Sequence, residues 1–489
     1  MQQKQTYGNR EDRAVFEALL ITGRNKEGAR PRAYLSGIGG IGVSAIAHIL
    51  LDAGWNVCGA DVQASRVTQE LGERGAKIYL GHSAESLKYD PVDVAIYSSA
   101  VRRDSQDILE ILNRKIPLLH RAEALASILK QYRGICVSGM HGKTTVSSLL
   151  VCALNGLGAE PGYAVGGSCC QFDPHARISR TSSHWFVAEA DESDGSLLDY
   201  FPEHAFILNI DRDHLDYYRS DERIGETFVR FAGQVQKQIF CCADNHWVMS
   251  LRAQHFADRG ITYGFHPDSD YRAVLKEFPP QGGQLFEVFR HGKSLGDFKI
   301  RLMGEHNVCN AAAVIALLTE LGYSARDIAG SIKDFTGARR RQELLFSNEN
   351  YRIIDDYGHH PAEIRATIRA VKRQGGRLLV IFQPHRFSRT QMLLNEFSTC
   401  FEGVDQLFLT DVYAASENPI PGVSGECMAQ AIRARGQQVE YLQRLEDVGK
   451  AVERISKPGD VILFLGAGDI THQAHQYADV LRKGKIVNE

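Results

Sequence analysis

Strand-length apolar runs alternate along this chain with longer stretches in which apolar residues return every three or four positions. The first pattern reads as buried strand and the second as helix with one buried face. "RAYLSGIGGIGVSAIAHILLDAGWNVCGAD" sets the type: a strand over Ala33 to Ser36, a glycine-rich turn, a helix, and a second strand closing at Asp61. "VDVAIYSSAV" adds a strand to this block and "HRAEALASILKQY" a closing helix. A second block opens with "RGICVSGMHGKTT", and its later strands end at "WFVAEADE", "AFILNIDRDH" and "QIFCCADN". Residues 260 to 303 turn to alternating β segments around glycine turns, and "HNVCNAAAVIALLTELGY" returns to helix. After the basic junction "TGARRRQE", a third block runs "YRIIDDYGHH", "RLLVIFQPH", "QLFLTDVYAA" and "DVILFLGAGDI", each strand ending in polar residues. This alternation predicts three α/β domains with mostly parallel sheets.

Composition narrows the picture only a little. A chain of 489 residues exceeds one core, and 44% hydrophobic with 24% charged residues is ordinary for a globular protein. A formal charge of −3 gives no reason to expect nucleic acid as a partner. The longest apolar runs are too short to span a membrane, and the N-terminus lacks the apolar core of a secretory signal. Ten cysteines without CxxC spacing suggest reduced thiols in a cytoplasm.

The chemistry gathers at strand ends. Gly37, Gly39 and Gly42 form a G-x-G-x-x-G turn, with Asp61 at the end of the next strand. That context suits a ligand carrying a diphosphate, held by backbone amides at a helix N-terminus. The plain alternative is a tight turn without a ligand. "SGMHGKTT" resembles a P-loop, but Val137 stands where the leading glycine of the long form belongs. Between a strand and a helix predicted as amphipathic, amides from Gly139 to Lys143 and the Lys143 ammonium would converge on phosphate oxygens, and Thr144 could ligate magnesium. "VAEADESDGS" brings Glu189, Asp191, Glu192 and Asp194, and "LNIDRDHLD" brings Asn209, Asp213 and His214, to further strand ends. Acid clusters there are often only solvated loops, yet three such ends in one block favour a phosphate and metal site. In the third block "DDYGHHP" and "FQPHRFSRT" also follow strands, and His385, Arg386 and Arg389 make a cationic group suited to a carboxylate.

Together these stretches resemble the Mur ligases. The matching motifs are GIGGIG, GMHGKTT, EADESD, NIDRDH, GEHNVCNA, DDYGHHP, FQPHRFSRT and, more weakly, DVYAASE, in order from residue 37 to beyond residue 410. The family uses a shorter loop, G-x-x-G-K-T-T, so Val137 is no defect.

The resemblance implies residues 31–132 as a Rossmann-like UDP-sugar domain and 133–338 as a central P-loop-type ATPase domain. Residues 339–489 would be a Rossmann-like domain for the amino acid, with 1–30 an N-terminal extension. Carried over by position, Gly37, Gly39, Gly40, Gly42, Asp61 and Ser98 would face UDP. Gly139, His141, Gly142, Lys143, Thr144 and Thr145 would hold ATP phosphates, with Asn307, Asn310, Arg341 and Asp356 also on the nucleotide. Thr144, Glu189 and His214 would organise Mg2+, with Mn2+ as a substitute. Tyr357, His359, His385, Arg386 and Arg389 would receive the amino acid. The catalytic residues implied are Lys143, Arg341 and His359, the last as proton acceptor.

The activity implied is ATP-dependent ligation of L-alanine to the lactyl carboxylate of UDP-N-acetylmuramate through an acyl phosphate. This is a step of peptidoglycan precursor synthesis, carried out in the cytoplasm by a monomer or weak homodimer. Met140, "YAASE" and the missing aromatic after "RRR" depart from the family pattern. The nearest rival is the family's tripeptide-recycling ligase, which carries different sequences at "EADESD" and "FQPHRFSRT". Folylpolyglutamate synthase would not need GIGGIG. An NAD-dependent oxidoreductase, or a non-catalytic UDP-sugar-binding protein, would leave Lys143, Glu189 and His214 without work.

Overall fold

The computed structural model describes residues 10–88, 91–169, 171–182, 184–277, 283–415 and 417–484. The chain forms two compact units. The first takes in the chain up to Arg272 with Phe289–Leu295 and Ala312–Ile332, and the second Ala273–Val288, Gly296–Ala311 and the chain from Lys333 onward.

The first unit holds a five-stranded parallel sheet in the order Lys77–Leu80, Asn56–Asp61, Arg32–Ser36, Val94–Tyr97, Leu118–His120. The order reverses between Arg32–Ser36 and Val94–Tyr97, which opens a crevice at the carboxyl ends of those strands. The glycine turn and Ser98 both sit at that edge.

The same unit contains Gly260–Gly264, Ile239–Cys242, His204–Ile207, Arg133–Ser138, Trp185–Glu189 and Gly162–Ala164, paired in this order and all parallel. Ala176–Arg177 closes the edge antiparallel. Arg133–Ser138 lies between the two strands that carry the acidic and Asn-Asp-His motifs, so this is the second crevice. Five of its six residues are buried because helices cover both faces, hence the unbroken apolar run in the sequence. The helix Lys143–Gly156 differs from its amphipathic prediction. It is buried nearly all round, down to Ser147 and Ser148, because the helix Ala325–Ile332 packs on its outer side.

In the second unit the sheet order is Glu343–Ser347, Tyr351–Asp356, Asp460–Leu465, Leu378–Phe382, Gln406–Thr410, Val439–Leu442. All pairs are parallel except the first. Helices Pro361–Lys372 and Gly425–Ala434 cover one face, around Val380 and Phe382; Val448–Ile455 and Ile470–Arg482 cover the other, around Ile381 and Phe464. The helix Arg10–Thr22 and the antiparallel strand Glu343–Ser347 go beyond the sequence reading. No helix among the described residues is long and apolar enough to cross a membrane.

Candidate active site

At the glycine turn, the Gly39 amide donates to Asp61 Oδ2 at 2.8 Å, and a Cβ on Gly39 would stand 2.9 Å from that same oxygen. Only glycine lets the loop close this tightly on the acid. Gly40 caps the helix Ile41–Asp52 without a side-chain acceptor, its carbonyl taking the Val43 and Ser44 amides, so the positive end of the helix lies at the glycine turn. Ser98 borders Gly37, whose Cβ direction meets the Ser98 Cβ at 3.3 Å.

A buried network beside this turn escaped the sequence reading. Asp107, fully buried, accepts from Ser36 Oγ at 2.6 Å and Tyr34 Oη at 3.1 Å, and faces His82 Nδ1 at 2.9 Å. The bond to Asp107 raises the His82 pKa; although burial opposes ionisation of Asp107, its partners hold that carboxyl down at about 2. The available signal was that His82 follows a strand at the edge carrying the glycine turn.

The Lys143 loop is pinned by Asn209. Its Oδ1 accepts from the His141 amide at 2.8 Å, its Nδ2 donates to the His141 carbonyl at 2.9 Å, and its carbonyl accepts from the Met140 amide at 3.2 Å. Gly139 is obligatory: its φ is +129°, and a Cβ would meet the Asn209 backbone at 3.0 Å. The Met140 side chain points away from the loop into the first unit's core, only 7% exposed, so the residue that departs from the family pattern serves packing.

Lys143 Nζ donates to Gly139 O at 2.7 Å, to Met140 O at 3.3 Å and to both Glu192 oxygens at 2.8 Å. Burial works against this ammonium, but Glu192 and Asp191 outweigh it and raise the Lys143 pKa. Burial pushes Glu192 up while Lys143 pulls it back. Of the four acids in the motif, Glu189 is the one that meets the hydroxyls of the helix's first turns. It accepts from Thr144 Oγ1 at 3.2 Å, Ser147 Oγ at 2.9 Å and the Gly166 amide at 2.7 Å. Thr145 is buried within the same turn. His214, in a left-handed conformation with φ +54°, puts Nε2 at 3.6 Å from Glu192.

Asp191 and Asp194 turn elsewhere, to Arg121 at 2.8 and 3.7 Å. Burial notwithstanding, Arg121 and Lys143 hold the Asp191 carboxyl well below the usual range. The Arg121 stem also lies against the position a Gly42 Cβ would take, at 3.0 Å. Arg121 therefore joins the start of the helix after the glycine turn to the acidic loop, a role no local pattern announces.

In the second unit, Asn307 and Asn310 sit in the first turns of the helix Glu305–Glu320. Asn307 Nδ2 donates to Met303 O at 2.6 Å and Asn310 Nδ2 to Asn307 Oδ1 at 3.3 Å. Asp356, 4% exposed, accepts from the Gln342 and Gly358 amides, each at 2.8 Å, yet burial pushes its carboxyl up to about 6. Arg340 and Arg341 lie over the Tyr357 ring at 4.8 and 5.1 Å. This ring is the aromatic partner that the "RRR" stretch itself lacks.

His359 meets Tyr357 edge-on at 5.4 Å and lies 5.7 Å from His385, which stacks on Tyr413 at 5.6 Å. Arg389 Nη1 approaches His385 Nδ1 at 3.2 Å. Burial, then Arg389, bring His385 down to about 4; burial, then Arg389 and His385 against Glu363, bring His359 down to about 3. Arg386 adopts φ +70°, and its Nε is buried without a hydrogen-bond partner. A positive φ and an unmet cationic donor in one loop are chemistry suited to an anion.

Parallel sheets with a polyphosphate-type loop, a carboxylate beside its threonine, and an Arg/His cluster on a separate sheet define an α/β enzyme that uses a nucleoside triphosphate. The chain belongs to the Mur ligase family. Residues 33–133 match the Mur ligase family catalytic domain, 137–318 the Mur ligase middle domain and 340–468 the Mur ligase glutamate ligase domain. The UDP-N-acetylmuramate–L-alanine ligase of Anaeromyxobacter sp. is 40% identical over 447 residues, 91% of this chain and 96% of the relative. That of Myxococcus xanthus is 38% identical over 463 residues, covering 94% and 97%. Among solved structures, UDP-N-acetylmuramate-alanine ligase from Thermotoga maritima superposes with a TM-score of 0.79 at 26% identity, covering 93% of this chain and 99% of that one.

Proposed function

We propose that this chain joins L-alanine to the lactyl carboxylate of UDP-N-acetylmuramate while ATP is split to ADP and phosphate. The observation that carries the phosphoryl chemistry is the Lys143 loop, with its ammonium and the Thr144–Glu189 pair at the ends of three adjacent parallel strands. The curated relatives named for this ligation, about 40% identical over nine-tenths of the chain, support the choice of substrates.

A carboxylate does not react with an amine at neutral pH, so it must first gain a leaving group. The lactyl carboxylate oxygen attacks the γ-phosphorus of ATP, the bond to ADP breaks, and an acyl phosphate forms. The L-alanine nitrogen then attacks the acyl carbon, and the tetrahedral adduct expels phosphate. Lys143 would leave Glu192 for the phosphate oxygens, since an ammonium bonded to carbonyls and a carboxylate already has the donors a phosphate needs. Arg341 is assigned to the same negative charge.

The residues present fit a divalent ion: Thr144 and Glu189 offer a hydroxyl and a carboxylate, with His214 close to the acidic loop. Mg2+, or Mn2+ in its place, would supply charge neutralisation there.

His385, Arg386 and Arg389 are assigned to the L-alanine carboxylate, with Tyr357 and His359 beside them. His359, kept neutral by burial, is free to accept a proton from the L-alanine ammonium. Its basicity is low, so it passes that proton on to solvent, and the second proton that the nitrogen sheds as the amide forms leaves with the departing phosphate. Gly37, Gly39, Gly40, Gly42, Asp61 and Ser98 are assigned to UDP. Asn307, Asn310 and Asp356 are assigned to the nucleotide, with Gly139, His141, Gly142 and Thr145 around its phosphates. The domain reading follows: 31–132 for the UDP-sugar, 133–338 for ATP and 339–489 for the amino acid. The 1–30 extension includes nine residues outside the described ones. A cytoplasmic monomer or weak homodimer completes the reading.

The test is phosphate release by the purified chain with UDP-N-acetylmuramate, ATP and Mg2+, against a panel of amino acids and the tripeptide. Release that requires L-alanine supports the reading. Release only with the tripeptide, or none with any acceptor, refutes it.

A further inference from the structure

Asp355 and Asp356 are neighbours on one strand, so their side chains leave the sheet on opposite faces. Asp356 belongs to the site described above; Asp355 does not. It is fully buried on the face covered by the helix Ile470–Arg482. Its Oδ2 accepts from Thr471 Oγ1 at 2.6 Å and lies 3.8 Å from Arg340 Nε, but its Oδ1 has no hydrogen-bond partner.

Directly across the antiparallel ladder stands Glu343. Two carboxylates facing each other repel, and burying one of them without a full set of partners adds a desolvation cost. Burial accordingly pushes the Asp355 carboxyl up. Arg340 relieves this only in part. Its Nη2 is taken by the carbonyls of Gly466 and Gly468, and it reaches Glu343 through its backbone amide. One helical turn beyond Thr471, on the same helix face, comes His475. Ligand atoms of Glu343, Asp355 and His475 all lie within 4.8 Å of one another.

We propose that Glu343, Asp355 and His475 form a site for a first-row divalent transition ion, with Zn2+ as the favoured occupant. Two carboxylates and an imidazole suit such an ion, whereas Mg2+ and Ca2+ prefer oxygen ligands throughout. Donors at ~2.0–2.2 Å from a shared ion need small rotations of Glu343 and of the exposed His475, while the buried Asp355 stays fixed. The ion would satisfy Asp355 Oδ1, cancel the Glu343–Asp355 repulsion and tie the edge strand to the last helix. This site shares no residue with Thr144, Glu189 and His214, which belong to the first unit.

The full chain, stripped with a chelator and dialysed, is titrated with Co2+ as an optical probe. The proposal expects an equivalent of Co2+ that Zn2+ displaces and millimolar Mg2+ does not. His475→Ala and Glu343→Gln should each weaken that equivalent at least ~10-fold, with circular dichroism unchanged. Zn2+ should raise the thermal midpoint of the wild type by ~4 °C or more, and that of His475→Ala by much less. Wild type that takes up no such equivalent, or folded variants that both bind it as tightly as wild type, would overturn the proposal.

Discussion

Around Lys143 carboxylates outnumber cations: Glu189, Asp191, Glu192 and Asp194 surround Lys143 and Arg121. Around Arg389 the balance reverses, with Arg340, Arg341, Arg386, His359 and His385 facing chiefly Glu363 and Glu417. The first region satisfies its charges internally, and its Lys pKa rises. The second leaves donors unmet, and its imidazoles are pushed neutral. On the proposed reading the contrast has a purpose: a loop that receives a polyanion with a metal ion would keep its cation on a carboxylate that can release it. A pocket for one small carboxylate would keep its cations ready, with nearby histidines held neutral so that they add no surplus charge.

The largest test of this contrast is Lys143→Met, which should lower ligation at least ~10³-fold, measured as L-alanine-dependent phosphate release. It also leaves Glu192 buried without its cation. The double variant Lys143→Met/Glu192→Gln should recover ~1–3 kcal/mol of unfolding free energy over Lys143→Met alone, by denaturant titration, and remain inactive. If activity returned with stability, the lysine would be structural.

Next in size, Arg389→Ala should raise KM for L-alanine ~10²-fold with little change in KM for ATP. Its loss should also let the His385 pKa climb from about 4, readable by NMR of the imidazole. A smaller effect is expected from His385→Gln. Because folding lowers this pKa from 6.5 to about 4, the unfolded chain binds the extra proton between those values. Stability from this group is complete above pH 6.5 and is lost as pH falls toward 4, and the Gln variant should flatten that part of the stability profile. The smallest effect belongs to Met140→Thr. It should leave the loop's activity within ~3-fold and cost ~1–2 kcal/mol by thermal melt, since Met140 fills the core and does not reach into the loop.

Much of the fold was legible because its information is local. The apolar run "GICVS" followed by glycines and a helical stretch can only be strand, turn and helix, and "LLVIF" needs cover on both faces. The acidic motif was legible only as a group. Nothing in "EADESDGS" says that Glu189 goes to Thr144, Glu192 to Lys143, and Asp191 with Asp194 to Arg121. Those partners lie on other strands and helices, and their order in the sheet decides who meets whom. His82 and Asp107 were missed for the same reason: a histidine after one strand gains meaning only when a buried aspartate is brought to its Nδ1.

The sequence by itself determined the alternation of strands and helices, the short phosphate-type loop and its lysine, and the cationic character of "HRFSR", because each rests on local geometry or side-chain chemistry. Tertiary structure alone decided that Lys143 rests on Glu192, that Arg121 links two crevices, that Met140 belongs to the core, and that Asp355 faces away from Asp356 toward Glu343 and His475. Charge pairing and burial depend on which distant segments share an edge or a face, and strand order sets that only once the sheets have formed.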